Sequence, residues 1–95
     1  MENRRIPNKL KMFRQCSGYS QKKVARILGL ADTSTLSRWE HGLALPGIVH
    51  VFRLSRIYHT LPQELFDGLW LRTEKEGRLL APDSEPFNSN QSFHL

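Results

Sequence analysis

SQKKVARILGLADTSTLSRWEHG, residues 20–42, decides how this 95-residue chain is read. Two short segments with helical apolar spacing are joined by Gly29-Leu30-Ala31, and Gly42 closes the second. A helix begun at Thr33 and advanced by about 100° per residue sets Ser34, Ser37, Arg38 and His41 in one stripe. Leu36, Trp39 and Glu40 fall on the opposite side. Hydroxyls with one guanidinium are what a helix needs if it is to lie in a DNA major groove. An ordinary amphipathic surface helix shows water the same stripe, so the decision rests on the surroundings.

The surroundings are basic. Residues 1–60 carry eleven Lys and Arg against Glu2, Asp32 and Glu40, whereas residues 61–95 carry three against six acids. A cationic front and a mildly acidic back imply a polyanion met by the first sixty residues. The length allows one domain with a marginal core, which favours association with a second copy. The single Cys16 excludes an internal disulfide or a multi-Cys zinc site, and reads as a buried or half-buried thiol. No apolar run approaches the ~18 residues of a membrane span, and MENRRIPNK lacks the apolar segment of a signal peptide. The expectation is a cytoplasmic protein without membrane contact. His41, His50, His59 and His94 have no metal-ligand spacing, and neither a carboxylate pair, a Cys/His set nor a phosphate-binding glycine loop is present. No catalytic residue, metal or cofactor is therefore assigned, and an enzyme is not expected.

Residues 1–7 form a basic arm with Arg4, Arg5 and Pro7, which suits a frayed terminus as well as a phosphate contact. The domain proper is read as residues 8–76. Asn8 caps a first helix with Leu10 and Phe13 inward, and Gly18 ends it. Arg14 shares that inward side and so requires a partner. Ser20 caps the second helix, which turns Val24, Ala25 and Leu28 inward and Lys22, Lys23 and Arg26 outward. Asp32 or Thr33 caps the third. A fourth helix starts after Pro46 with Ile48, Val51, Phe52, Ser55 and Tyr58 inward. Thr60 and Gln63 have capping-box spacing at the head of a fifth helix carrying Leu65, Phe66, Leu69 and Trp70. That helix is expected to reach Lys75 before Gly77. Leu69 and Trp70 either close the core or meet a second copy. The remainder, 77–95, is a polar tail in which Phe87 and Phe93 are available to anchor on a partner.

These fragments together resemble the phage-repressor-like (Cro/Xre-type) helix-turn-helix family over about residues 10–66. LKMFRQCSGYSQ is similar to its first helix and the start of the second, KKVARILGL to the rest of the second, and STLSRWEHG to the third with its closing Glu-x-Gly. Pro46 stands where the family's loop has proline, and YHTLPQELF resembles the opening of its fifth helix. The resemblance implies an all-α, five-helix, lambda-repressor-like domain that binds double-stranded DNA as a homodimer on a two-fold related site, regulating transcription. It implies a structural ion pair between Arg14 and Glu40. It further implies base reading by Thr33, Ser34, Ser37 and Arg38, and phosphate contacts from Ser20, Gln21, Lys22 and His41. Only Arg38 among the readers can pair bidentately with guanine. The chain has one residue more than the family's usual spacing between Gln21 and Glu40, most simply placed at 30–32, which can slide or tilt the third helix. Two other functions use the same scaffold: an antitoxin whose tail meets a toxin, and a protein-interaction module that has given up DNA.

Overall fold

In the computed structural model, which describes residues 5–80 with side chains through Gly77, helices are joined by short turns and no strand occurs among the described residues. In order they are α1 (Leu10–Cys16), α2 (Gln21–Ile27), α3 (Ser34–Glu40), α4 (Ile48–Ile57), α5 (Pro62–Leu65) and α6 (Asp67–Leu80). Expectations that fall on Arg4, Phe87, Phe93, His94 and the rest of 1–4 and 81–95 lie outside the described residues. The all-α, lambda-repressor-like architecture holds, with helices α2 and α3 forming the helix-turn-helix.

Each of the first three helices has only seven residues. Helices that short are not stable alone in water, so tertiary burial must hold them. Leu10, Val24, Leu28, Leu36, Trp39, Leu54, Tyr58, Leu65 and Phe66 form the common core, and Leu10, Val24, Leu36, Leu54 and Leu65 are fully buried. Complete burial of such a side chain contributes about 1.5–3 kcal/mol. The turns between these helices use left-handed glycines: Gly18 at φ 78°, Gly29 at φ 74° and Gly42 at φ 73°.

The structure corrects the sequence reading at several places. In α4 the buried residues are Leu54 and Ser55, followed by the buried C-cap Tyr58, with Val51 half-buried, while Ile48 and Phe52 are 68% and 52% exposed. The inward face is thus rotated from the one expected. The single fifth helix is two: Phe66 leaves helical geometry at φ −131°, ψ 45°. The cause is non-local, because the Leu65 carbonyl accepts from the Lys9 N–H at 2.8 Å instead of continuing the helix. α6 then runs through Gly77 to Leu80. The cap of α5 is shifted by one residue, with the Glu64 carboxylate accepting from the Leu61 N–H at 3.0 Å and the Thr60 hydroxyl at 2.8 Å. Leu61 is extended, as a residue before proline must be. Cys16 is exposed rather than buried.

Candidate nucleic-acid interface

Ser20 begins the helix-turn-helix in extended geometry, and its hydroxyl oxygen accepts from the Lys23 N–H at 3.0 Å. Its own hydroxyl hydrogen remains free to donate outward. Gln21 follows, half-buried, with its amide nitrogen donating to Glu40 Oε1 at 2.9 Å. One amide hydrogen is committed there, and the second is left for an external acceptor. Lys22, Lys23 and Arg26 are exposed on the outer side of α2.

α3 starts at Ser34 rather than Thr33, which is its N-cap residue. Asp32 does the capping: its Oδ1 accepts from the Ser34 N–H at 2.9 Å and from the Ser34 hydroxyl. Those two bonds, the hydroxyl's first, hold the Asp32 carboxyl below its ordinary range. Ser34 therefore faces outward with its hydroxyl hydrogen already spent, able to accept but not to donate. Thr33 is half-buried and makes no cap hydrogen bond with its side chain.

On the inner side of α3, Leu36 and Trp39 are buried at 0% and 6% exposure. The Trp39 ring is tilted against His50 with centroids 5.2 Å apart. On the outer side, Arg38 is exposed and its guanidinium has no hydrogen-bond or ion-pair partner among the described residues. Ser37 is half-buried, and its carbonyl accepts from His41 Nδ1 at 2.7 Å. A carbonyl only accepts, so Nδ1 carries the hydrogen. The Nε2 of His41 can then donate to an anion only when the ring holds a second proton.

Glu40 ends the helix and turns the other way. Its carboxylate accepts from Arg14 Nε at 2.7 Å and Nη2 at 3.2 Å, while Arg14 Nη1 donates to the Tyr19 carbonyl at 3.0 Å. The side chains of this pair are 11% and 1% exposed. The Glu40 hydrogen bond, opposed by burial, raises the Arg14 guanidinium above its ordinary value, so it stays charged. Glu40 thereby joins α1, the start of α2 and the end of α3 at one carboxylate. Tyr58 lies close enough for this carboxylate to add to the burial that pushes its phenol up.

The N-terminal segment was legible only in part. The N-cap of α1 is Lys9 rather than the expected Asn8; Asn8, one residue earlier, accepts from the Leu10 N–H at 3.0 Å, and its amide also donates to the Trp39 carbonyl at 3.1 Å. The Ile6 N–H donates to the Gly42 carbonyl at 2.9 Å. Residues 5–8 thus run against the end of α3. An arm followed by a cap residue is visible in sequence; contacts across more than thirty residues carry no local signal. On α6, Leu69 is half-buried against the core and Trp70 is 56% exposed. Trp70 therefore does not close the core. It lines a shallow groove of about 280 Å³ with Pro62, Gln63, Phe66, Leu69 and Thr73.

A short two-helix unit seated on a helical core, with its second helix exposing a polar outer stripe, defines a helix-turn-helix domain. The helix-turn-helix family model of the Cro/C1 type matches residues 10–65, and the chain belongs to that family. It is a DNA-binding helix-turn-helix protein. Neither a curated protein nor a solved structure gives a significant match to the chain. Among the described residues, no helix is long and apolar enough to cross a membrane.

Proposed function

We propose that this chain is a cytoplasmic transcriptional regulator that binds a specific double-stranded DNA sequence as a homodimer, with α3 in the major groove. The observation that carries the reading is the orientation of α3. Its inner side is pinned by Leu36, Trp39 and the Glu40 carboxylate, and its outer side presents the Arg38 guanidinium unpartnered. Arg38 is the base reader with the greatest discrimination, about 1–3 kcal/mol for a bidentate guanine pair. Ser37 and Thr33 contribute permissive contacts, and Ser34 contributes an acceptor alone. Ser20, Gln21, Lys22 and His41 hold phosphates, Gln21 through its second amide hydrogen.

Two copies are joined through the apolar stripe of α6, where Leu69 and Trp70 recur at helical spacing with Phe66. Dimers of this kind address half-sites about one helical turn apart. Selection of bound sites from random duplex DNA tests the reading directly: a two-fold symmetric site is expected. Arg38→Ala should relax preference at one base pair per half-site, whereas Gln21→Ala should weaken all sequences alike. Uniform weakening by Arg38→Ala would remove it as a reader, and a monomer sedimenting on the selected site would remove the dimer.

A protein partner is the second reading, favoured by the exposed Ile48, Val49 and Phe52 on α4. On that reading the scaffold either serves as an antitoxin that binds a toxin as well as DNA, or acts without DNA. Steep loss of duplex binding as salt rises separates DNA binding from the DNA-free version.

A further inference from the structure

Four hydrogen bonds fasten residues 6 and 8 to their surroundings at the end of α3 and the start of α1. Asn8 Nδ2 donates to the carbonyls of Ile6 at 3.1 Å, Trp39 at 3.1 Å and, more weakly, Glu40 at 3.4 Å. Asn8 Oδ1 accepts from the Leu10 N–H, and the Ile6 N–H donates to the Gly42 carbonyl. The Trp39 carbonyl also accepts from the Gly42 N–H at 3.0 Å, so the Asn8 amide takes its second lone pair and ties residue 8 to the turn that closes α3. The approach is close: a Cβ on Gly42 would lie 2.5 Å from the Ile6 oxygen. On its other side the same segment grips the α5–α6 junction. A Cβ on Gly68 would lie 3.1 Å from Pro7 Cβ, and Lys9 Nζ pairs with Asp67 at 2.9 Å. Residues 5–9 therefore span from the end of α3 to the start of α6.

We infer that this segment is a brace that seats the recognition helix, with Asn8 as the positioning residue through which it raises DNA affinity without touching DNA. The inference rests on the DNA-binding reading above. α3 has about two turns, and its inner apolar residues resist lifting better than they resist tilting about the helix axis. Asn8 holds the Glu40 main chain while Arg14 holds its side chain, so both ends of that residue are fixed. Without the brace, each binding event must order the helix as well as dock it, and affinity falls by that ordering cost.

The test uses Asn8→Ser in the full chain. A serine hydroxyl can still accept from the Leu10 N–H but is too short to bridge to α3, and no charge changes. Gly42→Ala loosens the same contact from the other side. Affinity is measured on the selected site and on unrelated duplex at temperatures where each variant is folded. Both variants should bind the selected site roughly three- to tenfold more weakly, since a net hydrogen bond or two is at stake. Unrelated duplex should lose less, and the salt slope should not change. In a Trp70→Phe background, Trp39 should become more open to a soluble quencher. Wild-type affinity in a variant whose unfolding midpoint has dropped would overturn the inference, leaving Asn8 a purely structural residue. A salt slope reduced by about one would overturn it as well, by showing a phosphate contact. If the wild type selects no site, the DNA-binding reading fails on its own account. The quenching arm still decides the brace in that case, and unchanged Trp39 access in both variants would refute it.

Discussion

Glu40→Gln tests the central joint of the domain. The substitution keeps the shape of the side chain and removes its charge. Three donors converge on the carboxylate: Arg14 Nε at 2.7 Å, Arg14 Nη2 at 3.2 Å and Gln21 Nε2 at 2.9 Å. A glutamine supplies one oxygen and must turn its amide hydrogens toward a guanidinium or another amide. Arg14, with its side chain 11% exposed, would remain charged without an opposite charge. Breaking a buried ion pair on one side costs about 3–5 kcal/mol. The lower end applies, because Arg14 keeps its bond to the Tyr19 carbonyl and the glutamine oxygen retains one donor. About 3 kcal/mol is a large share of the roughly 5–10 kcal/mol available to a domain of this size. With a urea slope of about 1 kcal/mol per molar, the midpoint should fall by about 3 M. Equilibrium urea unfolding followed by tryptophan fluorescence measures it. Arg14→Met combined with Glu40→Leu should recover most of the loss, since it removes both charges together. A loss below about 1 kcal/mol for Glu40→Gln would refute the reasoning, because it would mean that Arg14 reaches water when its partner is neutral.

Gly42→Ala should destabilise the fold by more than Gly29→Ala. Both residues are left-handed, at a cost of about 1–2 kcal/mol for an added Cβ, but only Gly42 has Ile6 in the way; equal losses in urea unfolding would place the arm elsewhere in solution. Three carboxylates, Asp32, Glu64 and Asp67, are held below their ordinary values by bonds from Ser34, Leu61 with Thr60, and Lys9 respectively. A lowered folded value stabilises above the ordinary carboxylate range and is lost as pH falls through it. The urea midpoint should therefore drop below about pH 4, and less steeply in the variant combining Asp32→Asn, Glu64→Gln and Asp67→Asn; an unchanged slope would show that these bonds are not populated. His59 ends α4 at φ 52°, a left-handed position that favours glycine. His59→Gly should stabilise by about 0.5–1 kcal/mol, and a loss in thermal unfolding would show that its side chain makes a contact worth more than the strain.

Much of the helix-turn-helix was legible because its constraints are local. Val24, Ala25 and Leu28 on one segment, and Leu36 with Trp39 on the next, are spaced so that only one pair of faces can meet, and Gly29 and Gly42 punctuate them. α4 was harder for a physical reason. Its sequence IVHVFRLSRIY is apolar nearly all round, so helical period alone does not distinguish a stripe through Phe52 from one through Leu54. Burial was settled by neighbours: Leu54 and Tyr58 enter the core, and Phe52 is left outside. The break at Phe66 was invisible for a related reason, since it follows from the Lys9 N–H taking a carbonyl more than fifty residues away. At the interface, the unpaired inward charge of Arg14 was plain from helical spacing, while its pairing with Glu40 came from the family resemblance. The engagement of Gln21 by the same carboxylate, and of the Ser34 hydroxyl by Asp32, had no signal in residue order.

The two sides of α3 answer to different demands. Every contact that holds this seven-residue helix comes from its inner side or its ends: Leu36 and Trp39 in the core, Asp32 at its start, Arg14 and Asn8 at its finish. None of them uses the Arg38 side chain, and the His41 ring reaches only Ser37, within its own turn. Substitutions on the outer stripe should therefore change which DNA is preferred while leaving stability within about 0.5 kcal/mol, the usual range for surface positions. Substitutions on the inner side should do the reverse, lowering stability while the folded fraction keeps its base preference. Exchanging Ser37 and Arg38 for other polar residues, then measuring both unfolding and selected sites, separates the two. If Arg38→Gln cost as much stability as Glu40→Gln, the outer stripe would be part of the fold, and α3 would have no side free to read a base.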